Sequence, residues 1–386
     1  EFRRVLFRSI IPPEVEDIMA LVILEYDDLC SDKDLSKEIL QAFGANSIGA
    51  LAVRGIPHWL DMCGKTLPMS HQLAGLPKDQ LDALEDEASM FNAGWSYGKE
   101  KMGDTPDFAK ASFYFNPLED DPSPELREEY PWALPANRWP EEDALPHFRD
   151  NCRQLGSEMK NVAVLLAKHV DRMLVSQVPG YQAGLFEEAM AQSNKAKARM
   201  LYYFPIQPSS ASTSASAPDT GKAKDNWIAW HNDSGFFTCL AGEIFVNHET
   251  GEVISNPEPD TAGLWIADRD GKECKVSIPS DCMGMQIGEC LQIISGGLLV
   301  ATPHCVKGCK VTPNVARISL PCFMDTPVTF PLSVPPGCSR EDVFRNTVAQ
   351  KVPPLAGRWL RDGTPFAEFL GDSFKSYYDW AMKDET

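Results

Sequence analysis

The apolar positions of this chain follow two different rhythms. Up to about Lys197 they recur at helical spacing in several stretches. Leu35, Ile39, Leu40 and Phe43 form one stripe of a helix expected over residues 31–45, with Ser31 or Asp32 as its N-cap. Residues 18–24 and 48–53 read as short buried strands, and Pro57 opens a further helix carrying Trp59, Leu60 and Cys63. The longest periodic run covers residues 141–174. Phe148, Cys152, Leu155, Met159, Val162, Leu166, Val170 and Met173 keep a three-to-four-residue spacing there, which predicts one long amphipathic helix. Between Asp104 and Trp139 the chain is Pro-rich and acidic around Phe113, Tyr114 and Phe115, and reads as loop more than element.

Beyond Lys197 the rhythm shortens. Residues 200–204, 227–230, 236–240, 243–246, 264–268, 285–287, 291–294, 298–301 and 316–323 are short β-like runs separated by Gly, Pro and Asp. Many short strands with turn chemistry between them predict an antiparallel sandwich or jelly roll. Residues 207–224 are rich in Ser, Ala and Pro and read as a mobile surface loop. Residues 365–383 return to helix, with Phe366, Leu370, Phe374, Tyr377 and Ala381 in register. The expected layout is a helical N-terminal region over 10–196, a mostly β core over 197–330 and a C-terminal helical segment over 331–386.

Residues 1–9, EFRRVLFRS, back-translate into a run continuous with a common sequencing-library adapter and read as a sequencing or cloning artefact. The other reading is a basic leader from a targeting peptide. On the first reading any N-terminal targeting peptide would be missing from view, and the expected location is cytoplasmic.

The 386 residues are 43% apolar and 24% charged, an ordinary globular balance that leaves room for a large core. With 36 basic and 55 acidic residues the formal charge is −19, which repels phosphate backbones and anionic lipid. Nucleic acid is therefore not an expected partner. No apolar stretch approaches the roughly 18 residues of a membrane span. The 11 cysteines are odd in number and follow no repeating frame, which reads as reduced thiols. Cys305 and Cys309 stand beside His304, but no second pair completes a zinc site, so they read as packing residues. A monomer acting on a small molecule is expected.

Candidate chemistry centres on Trp-His231-Asn-Asp233-Ser-Gly. Residues i and i+2 of a strand face one side, so His231 and Asp233 can reach one ion. Alone the pair is weak; His304, at the end of another expected strand, supplies a third donor. Two His and one carboxylate on one face of an octahedral ion leave three adjacent positions open, the arrangement suited to a non-haem Fe(II) oxygenase. Zinc hydrolysis is another use of the same donors. Arg317-Ile-Ser319 then offers a guanidinium and a hydroxyl on one side of a strand, a carboxylate clamp.

Taken together these segments resemble the isopenicillin N synthase-like group of Fe(II)- and 2-oxoglutarate-dependent dioxygenases. Leu40-Gln-Ala-Phe-Gly and Ile48-Gly-Ala-Leu-Ala-Val-Arg-Gly55-Ile-Pro are similar to the group's N-terminal segment, and Asn137-Arg-Trp139-Pro140 to the stretch before its core. Tyr203-Phe204-Pro205 is similar to its tyrosine strand, and His231 through Leu240 to its metal strand. Gly288-Glu289, Gly296-Gly297, His304 and Arg317-Ile-Ser319 complete the order. The resemblance implies a double-stranded β-helix with iron held by His231, Asp233 and His304. It implies 2-oxoglutarate held by Arg317, Ser319 and Tyr203, O2 as oxidant, and ascorbate as an accessory. The implied reaction oxidises a small-molecule metabolite, by hydroxylation or desaturation, with succinate and CO2 as co-products. The chain departs from the group at Phe204, Tyr202 and Cys305, and by extra sequence around residues 247–261. Two alternatives stand beside this one: an oxidase of the same fold that does not use 2-oxoglutarate, and a non-catalytic protein that keeps the barrel. Trp230, Phe236, Phe237 and Phe323 are near enough in sequence to line a pocket, though core packing is the favoured role of each.

Overall fold

The structure, a computed structural model, describes residues 21–99, 101–102, 105–206, 226–345 and 351–383. The expectations for residues 1–9 and 207–224 lie outside the described residues. In chain order the strands are β1 (Val22–Glu25), β2 (Ala50–Arg54), β3 (Gly94–Tyr97), β4 (Lys101–Met102), β5 (Thr105–Pro106) and β6 (Lys110–Phe115). Next come β7 (Ala196–Tyr203), β8 (Asn226–His231), β9 (Phe237–Asn247), β10 (Val253–Ile254), β11 (Gly263–Ala267) and β12 (Glu273–Val276). The last are β13 (Cys282–Ile287), β14 (His304–Lys307), β15 (Val315–Met324), β16 (Pro331–Leu332) and β17 (Thr364–Pro365).

Two sheets form the mostly β core. The larger runs β1-β2-β13-β9-β15-β7-β6-β3, with β10 added to β9; the smaller runs β12-β11-β14-β8. Among the described strands, only the β1–β2 pair within them is parallel. The long helix Phe148–Gln177 lies on the outer face of the larger sheet. Its predicted stripe, Leu155, Met159, Val162, Leu166 and Val170 among it, is fully buried in the main core cluster. Each such side chain contributes about 1.5–3 kcal/mol relative to exposure. Between the sheets, Leu201, Tyr203, Trp227, Phe245 and Val306 make a second cluster.

The N-terminal region is not the helical unit its periodicities predict. Alongside its helices it gives β1, β2, β3 and β6 to the larger sheet, and β6 pairs directly with β7. Of these, β1 and β2 answer to the buried strands expected at 18–24 and 48–53, whereas β3 and β6 were not expected. Every residue of β6 is buried, Lys110 and Ser112 included, and these two polar residues interrupt its apolar run. Phe113 and Phe115 of β6 pack against Trp139, which places a strand inside the segment expected to be loop.

Other boundaries shift for local reasons. The helix expected over 31–45 is Ser36–Phe43, where the Asp34 carboxylate accepts the Ser36 N–H at 3.0 Å. The long helix begins at Phe148, not 141, because His147 turns the chain at φ 64. Residues 291–294 belong to a buried helical turn, Glu289–Ile294, not a strand. A short apolar run buried all round carries no period to separate the two. Residues 298–301 form no strand beyond one bridge between Leu299 and Gly44. The C-terminal helix is found at Phe366–Lys383. Among the described residues no helix is long and apolar enough to cross a membrane.

Candidate metal centre

His231 ends β8 and His304 begins β14, and the two residues are direct partners across that strand pair. His304 therefore opens a strand, where the sequence suggested the end of one. Their rings stand 4.2 Å apart between centroids. Asp233 lies just beyond the end of β8, yet its Oδ1 is 3.8 Å from Nε2 of both His231 and His304. The three donor atoms lie within 4.8 Å of one another, and among the described residues this is the group of His, Cys, Asp and Glu able to hold a metal ion.

The hydrogen bonds behind these side chains decide which atoms face inward. His231 Nδ1 donates to the Ala229 carbonyl at 2.9 Å, and His304 Nδ1 donates to the Thr302 carbonyl at 3.2 Å. A carbonyl only accepts, so each Nδ1 carries the proton and each Nε2 presents a lone pair toward Asp233. Burial, followed by the neighbouring His304, pushes the His231 imidazolium down to about 4, which keeps the ring neutral and able to ligate. Thr238 on β9 donates its hydroxyl to Asp233 Oδ2 at 2.5 Å and leaves Oδ1 as the free donor. Two neutral imidazoles and one carboxylate oxygen, converging from one side, fit a divalent transition ion with open positions opposite.

The strand-end loop holding Asp233 is tied from several directions. Glu289 N donates to the Asp233 carbonyl at 2.9 Å, and Cys290 N to the Gly235 carbonyl at 3.1 Å. Gly288 permits this approach, since a Cβ there would fall 2.2 Å from the Gly235 oxygen. Asn232 Nδ2 donates to the Glu289 carboxylate at 3.0 Å, and that carboxylate forms a fully buried double ion pair with Arg358. Asp325 receives the Phe236 N–H at 3.2 Å and faces Lys195 at 3.5 Å.

The carboxylate clamp opens into the same pocket as the triad: Arg317, Ser319 and Tyr203 line it together with His231, Asp233 and His304. Arg317 and Ser319 lie on β15, and Arg317 pairs across to Tyr203 on β7, with its guanidinium 4.9 Å over the Tyr203 ring. Its Nη1 is 3.3 Å from Ser319 Oγ. Tyr203, not Phe204, faces inward; Phe204 packs outside against Tyr97, Tyr202 and His248. The clamp already holds a carboxylate of this chain. Glu243 Oε2 accepts from Arg317 Nε at 2.5 Å.

Of the four aromatic candidates, Phe323 lines the pocket. Phe236 and Phe237 are core residues packed against Phe186, the first stacked and the second tilted, and Trp230 lies under Lys351. Cys305 and Cys309 are buried, and burial pushes both thiols up to about 12, away from the thiolate that zinc requires. All eleven cysteines are free. Sequence reasoning missed Glu243 and Arg199, which line the pocket, and the Asn232–Glu289–Arg358 network behind it. Glu289 and Thr238 stood within recognised segments; Glu243 and Arg358 carried no local signal.

No family model matches the chain. Scopoletin 8-hydroxylase of Arabidopsis thaliana is 24% identical over 238 residues, which cover 61% of this chain and 51% of that protein. The chain thus matches about half the length of this curated relative. Among solved structures, a full-length Neurospora crassa protein in complex with alpha-KG superposes with a TM-score of 0.63 at 16% identity, covering 85% of this chain and 92% of the other. A protein from Caulobacter crescentus assigned to the 2OG-Fe(II) oxygenase family gives 0.60 at 17% identity, covering 92% and 98%.

Proposed function

We propose that this chain, which has the fold of the 2-oxoglutarate- and Fe(II)-dependent oxygenases, is an oxygenase of that kind acting on a small-molecule metabolite. One observation carries the reading: a triad with both Nε2 lone pairs and one carboxylate oxygen converging shares a pocket with an enclosed guanidinium that is paired with a carboxylate of the chain itself. The larger and smaller sheets that sandwich this pocket support a jelly-roll description of the core.

His231, Asp233 and His304 would hold the iron, and Arg317, Ser319 and Tyr203 the distal carboxylate of 2-oxoglutarate. When bound, iron and 2-oxoglutarate together supply the O2-dependent oxidation of a C–H bond, with succinate and CO2 released. The chain's own contribution is positional. The backbone carbonyls of Ala229 and Thr302 fix the imidazole tautomers, and Thr238 fixes the carboxylate. Leu240, Val276, Ile278 and Phe323 give the pocket apolar walls that exclude water from the reacting face. The charge of −19 supports an uncharged or cationic partner over nucleic acid. A monomer in the cytoplasm is part of the same proposal.

The Glu243–Arg317 pair favours a second reading, an oxidase that leaves the clamp to its internal carboxylate. Mixing the protein anaerobically with Fe(II) and 2-oxoglutarate separates the two. The oxygenase gives a charge-transfer absorption band and, in air, succinate; the oxidase binds iron without the band. His304→Ala is the blank for both.

A further inference from the structure

We propose that Glu243 is an internal occupant of the co-substrate clamp, placed there by a β-bulge, and that it sets the enzyme's affinity for 2-oxoglutarate. The proposal rests on the oxygenase reading given above.

Strand β9 starts with Thr238 and Leu240 facing the pocket. Strict alternation would next turn residues 242 and 244 inward and send Glu243 to the outer face. The pairing with β15 breaks that phase. Pro321 is opposite Leu240 and Ser319 is opposite Glu243, so three steps along β9 match two along β15. Gly242 sits in this bulge at φ +87, a left-handed backbone that favours glycine. A Cβ on Gly242 would meet nothing within 4 Å, so the glycine serves the bend and not a close contact. Beyond the bulge Glu243 lines the pocket and Phe245 joins the inter-sheet cluster, while Ile244 packs on the outer core.

The re-aimed carboxylate lands on the clamp. It lies directly across from Ser319 and bonds Arg317 Nε at 2.5 Å. The facing sheet makes room for it: Gly263 of β11 has φ +123, and a Cβ there would come within 3.2 Å of Glu243 Oε1. The Arg317 side chain is 6% exposed and that of Glu243 28%, so the cation is enclosed while its partner retains a route to solvent. A dicarboxylate entering this clamp meets a guanidinium already neutralised by −1. Glu243 must swing toward the mouth, or two carboxylates must share one cation at close range, and either outcome weakens binding. The penalty falls on the distal carboxylate alone, since the keto-acid end is directed to the metal.

The test is calorimetric titration of 2-oxoglutarate, and separately of pyruvate, into protein loaded with Ni(II) in place of iron. Pyruvate has the same keto-acid end and no distal carboxylate. In Glu243→Gln the shape is kept and the charge removed; 2-oxoglutarate is expected to bind tenfold or more tightly than in the unsubstituted protein, with pyruvate unchanged. Glu243→Ala is expected to move in the same direction. Unchanged or weaker 2-oxoglutarate binding in both variants overturns the proposal and makes Glu243 a support for the guanidinium. An equal gain for pyruvate also overturns it, as a general charge effect. If Ni(II) binds but neither keto acid binds to any form, the oxygenase reading falls along with it.

Discussion

The Tyr377 hydroxyl accepts a hydrogen bond from the backbone N–H of Asn232 at 2.8 Å, and so ties the C-terminal helix to the residue standing between two candidate ligands. Residue 377 is 145 positions away in sequence, so this tie closes the site only once the tail has docked. Tyr377→Phe removes the acceptor and leaves the ring. A net hydrogen bond contributes about 1 kcal/mol, and a metal site feels such supports as a several-fold loss of affinity. Ni(II) titration is expected to show roughly three- to tenfold weaker binding. Unaltered affinity would mean that the helix covers the site without shaping it.

Thr238 acts on the carboxylate itself. Its hydroxyl occupies Asp233 Oδ2, so Thr238→Val frees that oxygen and lets the carboxylate rotate. The expected result is about 10- to 100-fold weaker metal binding with the melting temperature nearly unchanged, because the β-branched shape is retained. Calorimetry and a thermal melt on the same sample check both halves.

The His231–Asp233–His304 group, the Arg317–Ser319 pair and the long helix were legible because each rests on a local pattern. HxD, a later His, RxS and a 3.6-residue stripe are all visible without knowing the fold. The network behind the metal loop was not. Glu289 and Arg358 meet across 69 residues, and nothing local to either announces a buried ion pair. Glu243 was hidden by a different cause: alternation along β9 predicts an outward side chain, and only the bulge at Gly242 reverses it. Of the N-terminal strands, β1 and β2 were legible as buried strands at 18–24 and 48–53; β3 and β6 escaped notice, β6 because Lys110 and Ser112 break its apolar run inside a Pro-rich, acidic segment.

The Glu289–Arg358 pair gives a stability prediction with a definite sign. Both side chains are essentially inaccessible, at 1% and 0% exposure. Arg358→Met leaves the carboxylate buried and uncompensated, a loss of about 3–5 kcal/mol. Exchanging both, Glu289→Gln with Arg358→Met, is expected to restore a substantial part of that stability. Urea unfolding of the two single variants and the double variant reads the coupling directly; simple additivity would refute it.

Gly288→Ala tests how closely the metal loop is held. The added Cβ would fall 2.2 Å from the Gly235 carbonyl oxygen and 2.9 Å from that of Asp233, both backbone atoms that cannot rotate away. The loop must shift, at a cost of about 1–3 kcal/mol, and it carries the candidate ligand Asp233 with it. Reduced stability together with lost Ni(II) binding is expected; a stable variant with intact binding would show that the loop tolerates displacement.

Lys160 supplies a pH dependence remote from the metal. It sits in the long helix under the larger sheet, donating to the Ser193 and Met190 carbonyls, and burial pushes its ammonium down to about 8 from 10.5 despite the opposing pull of Asp325. Below about pH 8 both folded and unfolded chains carry the proton, and the folded state bears the desolvation penalty. Between about 8 and 10.5 the folded state has released the proton while the unfolded state still holds it. The unfolded state then binds more protons, so this group's contribution to stability rises with pH across that window. The full swing is on the order of 3 kcal/mol. Urea unfolding of the unsubstituted protein and of Lys160→Met at pH 7.5 and pH 10 isolates the effect, since other titrating groups are common to both. The difference between them should move in favour of the lysine form as pH rises. A difference independent of pH would show that water reaches the ammonium and that its burial carries no electrostatic cost.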